Sequence, residues 1–180
     1  AGCGTGYLLQ AARGQAQLLG QREPISKLID SPRTGEALRR QLTAQAVKAH
    51  PAADTAALVR TMRALWRGAR FREERYAAVE LPRLGRVHPK LVNLDLLPLV
   101  EEMIATGAWW DLVDDISGNV LARLLERHPS DIKPRLRAWA QGDDLWLRRA
   151  AVLCQRSLDA TRIDAMLLYD TILPSIGSSK

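Results

Sequence analysis

The chain has 180 residues, 47% of them hydrophobic and 26% charged, which is ordinary for a soluble globular protein with one sizeable core. Its net charge of +6 comes mainly from arginine, which grips phosphate bidentately and stacks on rings, so a nucleic-acid partner is favoured. Two cysteines exclude a disulfide scaffold, and no apolar run approaches the roughly 18 residues of a membrane helix, so a cytoplasmic protein is predicted.

Apolar residues recur with helical spacing along almost the whole chain, without a convincing run of the period-two alternation of strands. Helices are predicted over 7–19, 35–49, 54–67, 71–87, 94–106, 110–127, 132–141, 144–157 and 162–173. Short links with Gly or Pro separate them, so neighbouring helices are expected to pack antiparallel. The prediction is an all-α protein with a single domain over residues 1–180 and a flexible terminus over residues 1–6.

An internal repeat appears when the second helix of each pair is aligned. The segment that starts at Phe71 returns 39 residues later at Trp110 and 35 residues after that at Leu145. Repeats of this length are typical of HEAT-like α-solenoids. In this register Arg75, Asp114 and Arg149 are equivalent, so we expect them to form a ladder on a concave basic face.

The segment Trp109-Trp110-Asp111-Leu112-Val113-Asp114 carries the strongest chemical signal. Helical spacing puts Trp110 and Asp114 on one face, and Trp146 precedes Arg149 by three residues in a later helix. A carboxylate, a guanidinium and aromatic rings on one surface suit a cationic aromatic group beside a phosphate. Two alternatives stay open: the indoles fill the core, or Asp114 is a surface acid that pairs with an arginine.

A neighbouring arginine, Arg148, leaves open which of the two guanidinium groups would serve a site. Other candidate motifs favour structural roles. Gly2, Gly4 and Gly6 follow no predicted strand, as a phosphate loop would require. The three histidines each precede proline at a predicted helix end, where capping is the favoured role, and Cys154 is predicted to be a small buried hydrophobe. No metal-ligand spacing is present, so any enzymatic activity depends on the carboxylate and the guanidinium.

Three segments together identify a resemblance, and they are Gly107–Asp114, Leu145–Ala151 and Ile176–Lys180. They resemble the AlkD family of DNA alkylation-repair glycosylases, over about residues 60–180, whereas the first 50 residues diverge. The resemblance implies HEAT-like repeats around double-stranded DNA and hydrolysis of the N-glycosidic bond of cationic N3- or N7-alkylated purines. It implies neither a metal nor an organic cofactor.

Carried over position by position, the resemblance makes Asp114 the catalytic carboxylate, Trp110 the aromatic packed against the lesion's backbone, and Arg149 the phosphate-facing cation. Further DNA-binding candidates from the same surface are Trp109, Arg148, Arg75 and Trp146. An alkylated purine is already a good leaving group, so one carboxylate that stabilises the sugar cation and positions water would suffice. The alternative function is a non-catalytic HEAT-like module that binds DNA or a protein.

The resemblance also bears on the end of the chain, because family sequences continue beyond the position of Lys180. We therefore expect a truncated solenoid that leaves Ile163, Met166, Leu167 and Ile172 uncovered. The expected state is a monomer, with no membrane partner, in a bacterial cytoplasm at the nucleoid.

Overall fold

The computed structural model describes residues 32–86 and 89–176, and these residues form helices without a strand. The predicted all-α class is confirmed. The predicted helix over 7–19, the terminus over 1–6 and His88 lie outside the described residues. Within the described ranges, no helix is long and apolar enough to span a bilayer.

The chain divides into two compact units between Leu91 and Val92. The described helices of the first unit are α1 (Pro32–Ala49), α2 (Thr55–Arg67) and α3 (Arg72–Glu80), followed by 3-10 turns at Leu81–Arg86 and Pro89–Leu91. Those of the second unit are α4 (Leu97–Gly107), α5 (Trp110–Asp115), α6 (Ala122–Arg127), α7 (Pro129–Gln141), α8 (Leu145–Leu153) and α9 (Ala165–Ile172). The single domain and the solenoid order of the repeats stay predictions.

In the first unit, α2 packs on α3. Asp54 caps α2, because its carboxylate accepts a hydrogen bond from the backbone N–H of Ala57 at 2.6 Å. The buried residues of α2 follow helical spacing, and they are Leu58, Met62, Leu65 and Trp66. Each such side chain contributes about 1.5–3 kcal/mol by leaving water.

Helix α3 is shorter than the predicted helix over 71–87. It ends at Glu80 and a 3-10 turn follows, so the predicted length was wrong. Pro82 supplies the reason, because proline has no N–H with which to continue the helical hydrogen bonds.

Several helix ends in the second unit also differ from prediction by about one turn, and α8 and α9 show the reasons. Helix α8 ends at Leu153 rather than at residue 157, and a turn over residues 154–157 follows. Helix α9 begins at Ala165 because Asp164 caps it, accepting a hydrogen bond from the N–H of Leu167 at 3.0 Å. The core of this unit lies where α4 contacts α5 and α8, and where α7 contacts α8 and α9.

The predicted helix over 110–127 is continuous, but its middle is a π-helix over Ile116–Leu121. The N–H of Ala122 donates to the carbonyl of Ser117, five residues earlier, and the Ser117 hydroxyl donates to the carbonyl of Val113 at 2.5 Å. A π-helical turn holds one residue more than an α-helical turn and often occurs at functional sites. Helix α5 therefore meets α6 through a widened turn.

The apolar surface of α9 is partly exposed. Ile163, Met166 and Ile172 are exposed, as expected. Leu167 is wholly buried, so its predicted exposure was wrong. The reason is helical spacing, which turns Leu167 towards the core of the second unit while Met166 points outward.

Candidate active site

The candidate site begins where α4 ends. Ala108 adopts the left-handed conformation with φ of 42°, and its N–H closes α4 on the carbonyl of Ile104 at 3.3 Å. Glycine usually takes this position, because a Cβ makes the conformation unfavourable by about 1 kcal/mol. The left-handed residue turns the chain sharply, so Trp109 can start α5 in an extended conformation.

Both indoles of the double-tryptophan segment lie at the surface. Trp109 is 49% exposed and Trp110 is 55% exposed. The alternative in which they fill the core is therefore wrong for both residues. Two adjacent exposed indoles present apolar surface to solvent, and contiguous surface of this kind often marks a binding site.

Asp114 and Arg149 form a bidentate ion pair. Nε of Arg149 donates to Oδ1 of Asp114 at 2.6 Å, and Nη2 donates to Oδ2 at 2.8 Å. Two parallel hydrogen bonds of this kind fix the orientation of both groups. The Asp114 side chain is only 13% exposed, whereas that of Arg149 is 41% exposed, so the guanidinium covers the carboxylate.

Pairing with Asp114 changes the pKa of the Arg149 guanidinium. The hydrogen bonds with Asp114 raise the pKa of Arg149 above its ordinary value, desolvation opposes this rise, and the charge of the carboxylate adds to it. Arg149 therefore keeps its charge throughout the physiological pH range. It can attract a phosphate whenever the pair opens.

A second arginine, Arg156, also reaches Asp114. Its Nη2 donates to the backbone carbonyl of Asp114 at 3.2 Å, and its Nη1 lies 3.7 Å from Oδ2. Sequence analysis missed this residue, because the contact joins positions 42 residues apart and no local pattern marks it. Two cations thus surround one carboxylate, which leaves the cluster with a net positive charge.

Other predicted site residues lie on neighbouring positions of α8. Asp144 caps this helix by accepting from the N–H groups of Trp146 and Leu147 at 2.8 and 2.9 Å. Trp146 and Arg148 are half-buried, and the buried Nε of Arg148 finds no hydrogen-bond partner among the described residues. Of the adjacent Arg148 and Arg149, it is Arg149 that forms the ion pair with Asp114.

Arg75 lies in the first unit, on α3. Its guanidinium carbon lies 5.1 Å from the centre of the Trp66 ring, which is a cation–π contact. The predicted role of Arg75 in the ladder with Asp114 and Arg149 stays a prediction.

Two further candidates, His128 and Cys154, lie in surroundings that favour a role in the fold. His128 ends α6 through its backbone N–H, which donates to Leu124 at 2.8 Å, while its side chain makes no capping hydrogen bond to α7 within the described chain. Cys154 is buried, as predicted, and desolvation raises the pKa of its thiol to about 12. In the ranges that the structure describes, no cluster of three His, Cys, Asp or Glu side chains could hold a metal ion.

The fold and this cluster define an all-α protein with an arginine-bound carboxylate beside exposed indoles. A family model described as DNA alkylation repair enzyme matches residues 36–179, which is most of the chain. The chain therefore belongs to this family, and its expected membership is confirmed. No curated protein matches it.

Proposed function

We propose that this protein is a DNA glycosylase that hydrolyses the N-glycosidic bond of cationic N3- or N7-alkylated purines in duplex DNA. Membership of the DNA alkylation repair family supports damaged DNA as the substrate. The observation that carries the proposal is the Asp114 carboxylate, which Arg149 binds with two hydrogen bonds one helical turn after the exposed Trp110.

The proposed reaction needs one anionic group. As the bond between the sugar and the purine breaks, its electron pair goes to the base, which leaves neutral, and the sugar becomes an oxocarbenium-like cation. Asp114 stabilises this positive charge and orients a water molecule for attack on C1′. The water loses a proton to solvent, and the products are the free alkylpurine and an abasic site.

Trp110 and Arg149 are proposed to hold the lesion's sugar-phosphate backbone. The exposed indole of Trp110 offers a flat apolar face to the sugar, and Arg149 offers paired N–H donors that match phosphate oxygens. Trp109, Arg148, Trp146 and Arg75 are further proposed DNA contacts. The chain's charge of +6 favours association with the duplex before any specific contact forms.

The decisive experiment is an abasic-site assay on duplex DNA that carries a single 7-methylguanine. We expect time-dependent release of the base, detected as alkali-labile strand breaks, by the parent protein. The control is an undamaged duplex of the same sequence. Binding of the duplex without release would contradict the proposal.

The alternative function is a non-catalytic module that binds DNA or a protein through the same surface. The low exposure of the Asp114 carboxylate favours it, because a covered carboxylate can serve as a structural ion pair. The same assay separates the two functions, and the salt dependence of binding then distinguishes DNA from a protein partner. Sedimentation of the parent protein tests the expected monomer.

A further inference from the structure

Arg156 is the group at this site that the proposed mechanism leaves without a role. It approaches Asp114 differently from Arg149, because its guanidinium donates to the backbone carbonyl of Asp114, its one hydrogen bond to the described part of the chain. Its Nη1 lies 3.7 Å from Oδ2, which is longer than a good hydrogen bond but close enough for charge attraction. Arg156 can therefore stay in place while the partners of the carboxylate change.

The Arg156 side chain also packs next to Gly118. A Cβ added to Gly118 would lie 2.7 Å from the Ser157 hydroxyl, 3.5 Å from Nη2 of Arg156 and 3.7 Å from its Nε. A side chain at position 118 would require the Ser157 hydroxyl to move aside, whereas both Arg156 atoms lie at ordinary van der Waals distance. The Arg156 guanidinium thus packs closely against the π-helix that follows Asp114.

The turn that carries Arg156 is fixed to α9. Gln155 is buried, and its side chain makes two hydrogen bonds with the backbone of Asp164: Oε1 accepts from the N–H at 2.7 Å, and Nε2 donates to the carbonyl at 3.1 Å. Asp164 in turn caps α9 and pairs with Lys133 at 2.7 Å. The backbone of Arg156 consequently starts from a fixed position.

Arg149 cannot hold Asp114 and a phosphate with the same donors. Its Nε and Nη2 occupy both carboxylate oxygens, and the Asp114 side chain is largely covered. If Arg149 transfers to a DNA phosphate, the carboxylate becomes accessible but loses its two orienting hydrogen bonds. A second cation that does not leave is then needed to keep the carboxylate directed at the sugar.

We propose that Arg156 is a positioning residue that holds Asp114 in place when a DNA phosphate draws Arg149 away. This inference rests on the proposed glycosylase function and adds to it an exchange of partners: the carboxylate passes from Arg149 to Arg156 as the phosphate binds. Arg156 acts through Asp114 and does not itself bind the DNA.

The test uses the full chain with the substitutions Arg156→Ala and Arg156→Lys. The matched control is Arg162→Ala, since the Arg162 side chain is 58% exposed against 51% for Arg156 and pairs with Glu126 and Asp159 instead. Single-turnover excision of 7-methylguanine is measured over a range of protein concentrations. This gives the maximal rate constant and the half-saturating concentration separately.

For Arg156→Ala we expect a maximal rate constant lower by about tenfold, because a displaced catalytic group costs rate even when binding is intact. The half-saturating concentration and the salt dependence of binding to undamaged duplex should not change. Arg156→Lys should recover part of the rate, because it restores the charge, and Arg162→Ala should match the parent. In an Asp114→Asn background, Arg156→Ala should cause no further loss.

Each other outcome overturns the inference in a recognisable way. A smaller salt slope for Arg156→Ala would mean that Arg156 binds a phosphate directly. An additive loss in the Asp114→Asn background would mean that it does not act through Asp114. An active parent with unchanged Arg156→Ala excision overturns this inference alone, whereas a parent that releases no base overturns the proposed function and this inference with it.

Discussion

Helices α3 and α5 begin alike, but their carboxylates have different partners. Phe71 precedes α3 and Trp109 precedes α5, each in an extended conformation with an exposed ring. In α3 the wholly buried Glu74 accepts hydrogen bonds from the backbone N–H groups of Arg70 and Phe71, at 2.5 and 3.2 Å. In α5 guanidinium groups bind the carboxylate of Asp114.

Glu74 and Asp114 differ in how easily each carboxylate can lose its hydrogen-bond partners. Glu74 can leave its backbone donors only by turning a wholly buried carboxylate away from them, so Glu74 serves the fold. A guanidinium leaves when its side chain rotates, so Asp114 can exchange partners without any change of the helix. The pair of helices thus separates a carboxylate used for stability from one available for a ligand.

The largest expected effect is the loss of excision when the negative charge of Asp114 is removed. Asp114→Asn removes negative charge where positive charge develops, so single-turnover excision should fall by at least about tenfold. The fold and most DNA affinity should be kept, as measured by circular dichroism and a binding titration. Excision at the parent rate would contradict the role of Asp114.

The corresponding change in α3 should act on stability. Glu74→Gln weakens charge-assisted hydrogen bonds to two backbone donors, at a cost of about 1 kcal/mol. The melting temperature should fall by about 2–4 °C for a chain of this size, while excision below the melting range stays normal. Lost excision in a protein that is still folded would remove the distinction between the two helices.

Two arginines sharpen the comparison through the salt dependence of DNA binding. The slope of the log binding constant against the log salt concentration reports the counterions released when undamaged duplex binds. Arg149→Ala should reduce this slope by about one counterion, because one phosphate contact is lost. Arg75→Ala should reduce it less, because Arg75 must first leave the Trp66 ring. Equal slopes for the parent and Arg149→Ala would exclude Arg149 as a phosphate contact.

The smallest expected effect concerns the residue before Trp109. Ala108→Gly relieves a left-handed conformation that costs an alanine about 1 kcal/mol, although glycine also loses more entropy on folding. We expect the melting temperature to rise by about 1–2 °C. Excision should be unaffected, and a drop in melting temperature would show that the Cβ of Ala108 stabilises the turn.

Sequence periodicity predicted the described helices well, because the buried positions of a helix repeat with its turn. It did not predict every helix boundary, and three of them show why. Pro82 shortens α3, Asp164 delays the start of α9, and the buried Gln155 lies in the turn that follows α8. These ends depend on contacts between distant segments or on the choice between competing caps, which periodicity does not contain.

The candidate site was predictable in part. Spacing alone placed Trp110 and Asp114 one turn apart, and the structure brings Arg149 to Asp114 across 35 positions. Spacing could not tell that both indoles are exposed, because the same pattern also suits a core. It also could not identify Arg156, which lies in a turn that the sequence indicated as helix.

The π-helix over Ile116–Leu121 has a consequence for the evolution of the site. Each residue of an α-helix rotates the chain by about 100°, so the extra residue of a π turn changes the angular phase between the segments on either side of it. Deleting one residue there would restore a regular helix and keep α6 packed in the core. The same deletion would swing Trp110 and Asp114 away from Arg149, so a relative with a shorter helix could keep the fold while losing the site.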